Sequence, residues 1–265
     1  MTAPIGPGGA AVTSVRPAVA RQWLPHQHGA WAMLAVPFLL GVAASAPGPW
    51  QLVLAVASVL GYLASTTGQS WLRARRRDAF SLPLAAYAVG FGVLGLALAV
   101  AYPALLLALI ILAPTTAIIV AGARPGTRRD LANSLAQALQ AVVLVPAAAW
   151  VSGAFDPLSA AVETAVGTAY LLGTVLVVRS VLRERTSRSF TVVSVGFHAA
   201  LLVPAIVLGP AWVVLAAGLT VRAVALPEIA RRRARTPKPL KPAQVGAIEA
   251  IASIAVVLVS FVTLP

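Results

Sequence analysis

All twenty Lys and Arg residues of this chain fall on one side of a bilayer once its apolar stretches are laid out as membrane helices. Nine such stretches are read, at 29–46, 50–72, 81–101, 103–122, 131–151, 158–178, 190–208, 211–227 and 246–264. Every cation lies in the N-terminal tail, in the second, fourth, sixth and eighth connections, or in a helix just before one of them. The first, third, fifth and seventh connections carry none. Cations collect on the cytoplasmic side of membrane proteins, so an odd number of crossings puts the N-terminus inside and the C-terminus outside. The expected fold is all-α: a polytopic transmembrane helical bundle of about nine helices. Residues 1–22, rich in Gly, Pro, Ala and Ser, read as a disordered cytoplasmic tail. Residues 23–265 read as the membrane domain.

Composition excludes a water-soluble alternative. Hydrophobic residues make up 59% of the chain and charged residues 10%, with a mean hydropathy of +0.89. A soluble domain needs about a quarter of its residues charged. The 265 residues suit nine spans of about 20 residues with short loops. The net charge of +13 meets the positive-inside rule and faces anionic lipid on the cytoplasmic side. No recognition helix or base-stacking motif accompanies it, so no nucleic-acid partner is read. The absence of cysteine excludes disulfides, thiolate metal sites and cysteine nucleophiles. Arg dominates the cations; its planar fork matches phosphate oxygens, although an Ala-, Val- and Gly-rich genome gives the same bias.

The outer turns are Pro47-Gly48-Pro49, Tyr102-Pro103, the segment 152–157 and Gly209-Pro210. Each stops a helix. The inner connections, 73–78, 124–130, 179–185 and 231–241, are basic. Pro37, Pro114, Pro146 and Pro204 lie inside spans, where each removes a donor and kinks the helix. No long internal repeat is visible.

Polar residues in hydrocarbon turn to the bundle interior. The second helix carries Ser58, Tyr62, Ser65 and Gln69 on one face, the fifth Asn133, Gln137 and Gln140, and the seventh Thr191, Ser194 and His198. Their strongest members lie in the cytoplasmic halves. The expectation is an inward-opening polar pocket drawn from His28, Trp31, Tyr62, Gln69, Asn133, Gln137 and His198, under a rim of Arg73, Arg179, Arg183 and Arg222 as phosphate-binding candidates. Packing hydrogen bonds are the plainer alternative. Arg222 and Glu249 are expected about a turn inside adjacent helix ends, as an ion pair or with Arg222 snorkelling to the interface. Glu163 is expected to reach headgroup water. His198 must be buried. His26 and His28 have no nearby carboxylate. Neither a metal site nor a cofactor is read: phosphate loops, nucleophile elbows, zincin motifs and Asp-rich clusters are all absent.

The segment from Pro25 to Gly41, His-Gly-Ala-Trp followed by an apolar run with Pro37 and Gly41, resembles the opening signature of the YwiC-like family of bacterial integral membrane proteins. Val178-Arg179-Ser180 with Arg183-Glu184, and Lys241-Pro242 with Gly246 and Glu249, are similar to it too. The resemblance implies a multi-pass protein of the bacterial cell (inner) membrane and no particular reaction. By helix number and orientation the chain also resembles the UbiA-type intramembrane prenyltransferases. That likeness implies a prenyl diphosphate held by Mg²⁺ at Asp-rich motifs. The matching segments, Ser65–Trp71 and Thr174–Ser180, contain no aspartate. Three readings stay open: a pocket for an anionic or phosphorylated lipid; a prenyl- or lipid transferase lacking the usual metal motifs, with His28, Gln69, Asn133 and Arg179 at its site; and a small-solute transporter using His198. The oligomeric state is not fixed by the sequence.

Overall fold

The computed structural model describes residues 23, 30–74, 77–123, 131–234 and 240–263. The tail at 1–22, His26, His28 and most of the fourth connection lie outside them. Among the described residues the chain is a helical bundle, its single strand-like feature an isolated bridge between Ser45 and Phe155. Helices are what such apolar runs must form, because lipid offers no partners for backbone N–H and C=O groups.

Among the described residues nine apolar helical segments follow in order, counted below as spans. The first is short, Ala30–Ala43. Eight are long enough to cross a bilayer: Pro49–Arg73, Asp78–Ala101, Pro103–Gly122, Leu131–Val151, Pro157–Leu182, Arg188–Leu208, Pro210–Ala234 and Pro242–Thr263. The all-α polytopic bundle expected from the sequence is therefore observed. Pro146 and Pro204 act as read. The fifth span is two helices, Leu131–Val142 and Leu144–Val151, and the seventh is Arg188–Ala200 and Leu202–Leu208. In each, the first helix stops four residues before the proline, where the ring collides with the carbonyl of residue i−4.

Several ends differ from the expectation. The sixth span runs to Leu182 and the eighth to Ala234, and the ninth begins at Pro242. Arg179 and Arg231–Arg233 thus belong to helices, not loops. Hydropathy stops a span at its first charges, but Arg is a good helix former and continues the helix out of the lipid. Starts are marked locally. Asp156 accepts from the Ser159 N–H at 2.7 Å before Pro157, and Ser187 accepts from the Phe190 N–H at 3.2 Å.

Contacts between connections confirm that the spans alternate. On the cation-free side, the Ala46 N–H donates to the Ala154 carbonyl at 2.9 Å, Trp50 meets Tyr102 edge-on at 5.7 Å, and Trp212 Nε1 donates to Thr263 Oγ1 at 3.0 Å. These tie together the first, third, fifth and seventh connections and the end of the ninth span. On the opposite side, Arg73 Nη2 donates to the Gly122 carbonyl at 3.1 Å and Arg231 Nη1 to Thr191 Oγ1 at 3.2 Å.

The first span sits at the centre. Val36 and Leu40 pack with Ala138, Val142 and Val145 of the fifth span, Tyr170, Leu171 and Val175 of the sixth, and Ala252 and Val256 of the ninth. Gly41 permits this: a Cβ there would overlap the Val145 carbonyl oxygen and Ala148. The third span lies outermost, with only Pro83 and Leu98 buried.

Candidate functional site

The polar residues of the last four spans meet in the bundle interior. Arg222 lies halfway along the eighth span, twelve residues or about 18 Å from its end at Ala234. It does not snorkel. Nη1 donates to Glu249 Oε2 at 2.9 Å, with the two side chains 7% and 10% exposed. Nη2 lies 3.4 Å from His198 Nε2, and His198 Nδ1 lies 2.7 Å from the Ser194 carbonyl. A carbonyl only accepts and a guanidinium only donates, so the network assigns the ring proton to Nδ1 and leaves Nε2 as the acceptor. The expected ion pair is thus observed; its depth corrects the reading, which ended the eighth helix at 227.

Gly173 makes room for the imidazole, since a Cβ there would stand 2.8 Å from His198 Nε2. Below the pair, Tyr170 and Ser253 share a hydrogen bond at 2.8 Å, and Ser253 Oγ donates to the Glu249 carbonyl at 2.8 Å. Thr174 faces Glu249, with its hydroxyl and Glu249 Oε1 both buried and lacking a hydrogen-bond partner. A charged pair in hydrocarbon is costly to desolvate, which is why such groups mark functional sites by default.

Glu163 is a second correction. It is 0% exposed and reaches no headgroup water. Ser260 Oγ donates to its Oε2 at 3.1 Å, while Oε1 has no partner. The ninth span covers it, which hydropathy along the sixth cannot reveal.

The expected pocket residues are distributed rather than gathered. His28 lies outside the described residues. Trp31 and Tyr62 stack at 5.8 Å at the first–second interface. Gln69 lies 3.5 Å from Ser65 on its own helix. Asn133 is buried beside Gly122, where Arg73 also binds. Gln137 is exposed, and Gln140 bonds Thr116 of the fourth span at 2.7 Å. His198 alone joins the interior network. Of the four candidate phosphate-binding arginines, Arg73 donates to the Gly122 carbonyl and Arg222 to Glu249. Arg183 lies exposed on the turn after the sixth span. Arg179, 11% exposed, gives Nη2 to Glu184 Oε1 at 3.3 Å and leaves Nε and Nη1 buried without partners. On the same cationic side, an open cleft is lined by Arg188, Thr191, Glu228, Arg231 and Arg232.

Sequence reading missed Tyr170, Thr174, Ser253 and Ser260. The signal was present: Glu163, Tyr170 and Thr174 recur at seven and four on the sixth span, as Ser260, Ser253 and Glu249 do on the ninth. Among the described residues, no group of three His, Asp or Glu is placed to hold a metal.

Comparison with known proteins agrees with the resemblance read from the His-Gly-Ala-Trp segment. The family model described as YwiC-like protein matches residues 24–149. "Uncharacterized protein YwiC" of Bacillus subtilis (strain 168) is 29% identical over 204 residues, spanning 73% of this chain and 81% of that protein. No solved structure matches the chain.

Proposed function

We propose, on the premise that this is a YwiC-like polytopic membrane protein, that its cationic side binds the head group of an anionic or phosphorylated amphiphile, anchored by Arg179. The setting is the bacterial cell membrane, with the cationic side toward the cytoplasm. One observation carries the reading: the Arg179 guanidinium is nearly buried and holds two donors open. A buried donor left unmade costs about 1–3 kcal/mol, more when charged. An anion supplying two oxygens to this fork recovers that cost.

The position suits a lipid. Arg179 is one helical turn beyond Val175, on the face of the sixth span that packs against the first and fifth. The head group lies at the membrane boundary and the tail runs along apolar helix faces. Glu184 holds only Nη2, across a partly exposed pair of little worth.

Mass spectrometry of lipids retained after extraction in mild detergent tests the reading. The wild type is expected to carry an anionic or phosphorylated lipid enriched over the bulk membrane. Arg179→Ala loses the enrichment, and Arg179→Lys, which keeps the charge but not the fork, recovers part of it. A folded Arg179→Ala protein with undiminished enrichment refutes the anchor.

A further inference from the structure

We propose that the interface of the sixth and ninth spans is a gated proton path, running from Glu163 on the cation-free side to Glu249 and on to the cationic cleft. This inference is independent of the anion site at Arg179.

The two helices are in one antiparallel register. Glu163, Gly167, Tyr170 and Thr174 follow at steps of four, three and four, and so do Ser260, Val256, Ser253 and Glu249. Three of these four rungs meet across the interface. Ser260 donates to Glu163 at 3.1 Å, Tyr170 and Ser253 bond at 2.8 Å, and Thr174 faces Glu249. Beyond Glu249 the line passes to Arg222 and His198, then down the seventh span by Ser194 and Thr191. Thr191 accepts from Arg231 and lines the open cleft. Polar side chains thus reach from the outer third of the bundle to its cationic surface.

Two features distinguish this line from packing glue. First, its buried groups hold open valences: Glu163 Oε1 and Ser194 Oγ lack partners, and Thr174 Oγ1 and Glu249 Oε1 face each other without a close hydrogen bond. Internal waters occupy such positions, each making about three hydrogen bonds, and water between these groups completes a relay. Second, between the two carboxylates the line is interrupted at one rung only. Between Glu163 and Tyr170, Gly167 is closed over by Leu40 and Val145, both 0% exposed, and Val256 of the ninth span belongs to the same apolar cluster. A single apolar constriction between two polar segments is a dewetted gate.

The chemistry is proton transfer alone. Glu163, closed from the surface at rest, accepts a proton when water enters from the cation-free side, forming the neutral acid with its O–H on the unpartnered oxygen. When the gate hydrates, that proton passes by water to Tyr170 and Ser253, and Glu249 receives it. No charged group contacts Glu163 among the described residues; its one hydrogen-bond partner is the Ser260 hydroxyl. Arg222, His198, Tyr170, Thr174 and Ser253 surround Glu249. Glu249 then passes the proton through water to Ser194, Thr191 and the cleft, and returns to its pairing with Arg222.

Reconstitution into liposomes containing a pH-sensitive dye, under a potassium diffusion potential, tests the gate. Val256→Ser hydrates the constriction and is expected to raise proton entry at least tenfold over protein-free liposomes. Glu163→Gln placed in the same chain returns it to the protein-free rate. A tight Val256→Ser protein, or a leak that persists with Glu163→Gln, overturns the proposal. Infrared spectroscopy of the wild type gives a second reading that needs no gate variant. A protonated-carboxyl band is expected that vanishes in Glu163→Gln and shifts in D₂O; a wild-type spectrum without it overturns the proton assignment.

Discussion

The second to fourth spans and the sixth to ninth spans have similar hydropathy and opposite uses of their polar residues. In the first group, polar side chains mostly turn back onto their own helix. Ser58 donates to the Leu54 carbonyl at 2.7 Å, Thr66 to the Tyr62 carbonyl at 3.0 Å and Thr115 to the Ile111 carbonyl at 2.6 Å. Such bonds satisfy a hydroxyl in lipid and connect nothing. In the second group such back-bonds occur as well, at Thr164, Thr168 and Thr220, but other polar side chains cross between helices and gather the buried charges. The family match at 24–149 ends before this second group begins. The similarity to the Bacillus subtilis protein, over 204 residues, extends into the second group.

The largest effect separating the two is expected at Arg222. Arg222→Ala leaves Glu249 as an uncompensated buried charge, a loss of about 3–5 kcal/mol. Arg73→Ala, in the other half, removes a guanidinium that donates to a helix-end carbonyl near the surface, and loses about 1.5–3 kcal/mol. Thermal unfolding in a single detergent ranks them. Equal losses break the distinction between the halves. The double variant Arg222→Met, Glu249→Leu sharpens it, by recovering most of the stability while abolishing any activity that needs the charges.

Glycine gives the next test, because the same methyl meets different surroundings. Gly41→Ala drives a Cβ into the Val145 carbonyl at the centre of the bundle and is expected to cost about 1–3 kcal/mol. Gly95→Ala, on the third span, meets nothing within 4 Å and stays within about 1 kcal/mol of wild type. A costly Gly95→Ala would show that this face is covered by another protein surface rather than by lipid. Smaller still is Tyr170→Phe, which removes one interhelical hydroxyl. Bonds of this kind in membranes average about 0.6 kcal/mol and reach about 1.7.

How much of this the sequence shows depends on the range of the signal. Cations and turn prolines act locally, so the spans, their alternation and the breaks ahead of Pro146 and Pro204 are legible residue by residue. The Arg222–Glu249 pair is legible too, because consecutive antiparallel helices bring such positions together. Whether Asn133, Gln69 and His198 converge is not, since a helical stripe fixes a face but not the neighbour it meets; they do not converge. His198 faces Arg222 because the seventh span packs on the eighth, whereas Gln137 faces outward. The Glu163–Ser260 contact joins residues 97 apart, and only the packing of the sixth span on the ninth creates it.

The smallest effect is expected at the caps on the cation-free side, and it separates the halves by pH. Asp156 starts the sixth span, accepting from the Ser159 N–H at 2.7 Å and the Ser159 hydroxyl at 2.8 Å. Those bonds, the backbone one foremost, hold its carboxyl below the usual carboxylate range. A group lowered in the folded state stabilises above its unfolded value, near 3.8, and that contribution is lost as pH falls through the folded value. The melting-temperature difference between wild type and Asp156→Asn is therefore constant at neutral pH and shrinks below about pH 4. Because the carboxylate is exposed, the difference also shrinks in salt. The second span starts without a carboxylate: the Gly48 N–H donates to Gln51 Oε1 at 3.0 Å, and Gln51 Nε2 to the Ala148 carbonyl at 3.0 Å. Gln51→Leu is expected to lower the melting temperature equally at pH 7 and in acid. A pH-independent loss at Asp156 would mean that the sixth span, like the second, is capped by shape and amide chemistry alone, with no charge involved.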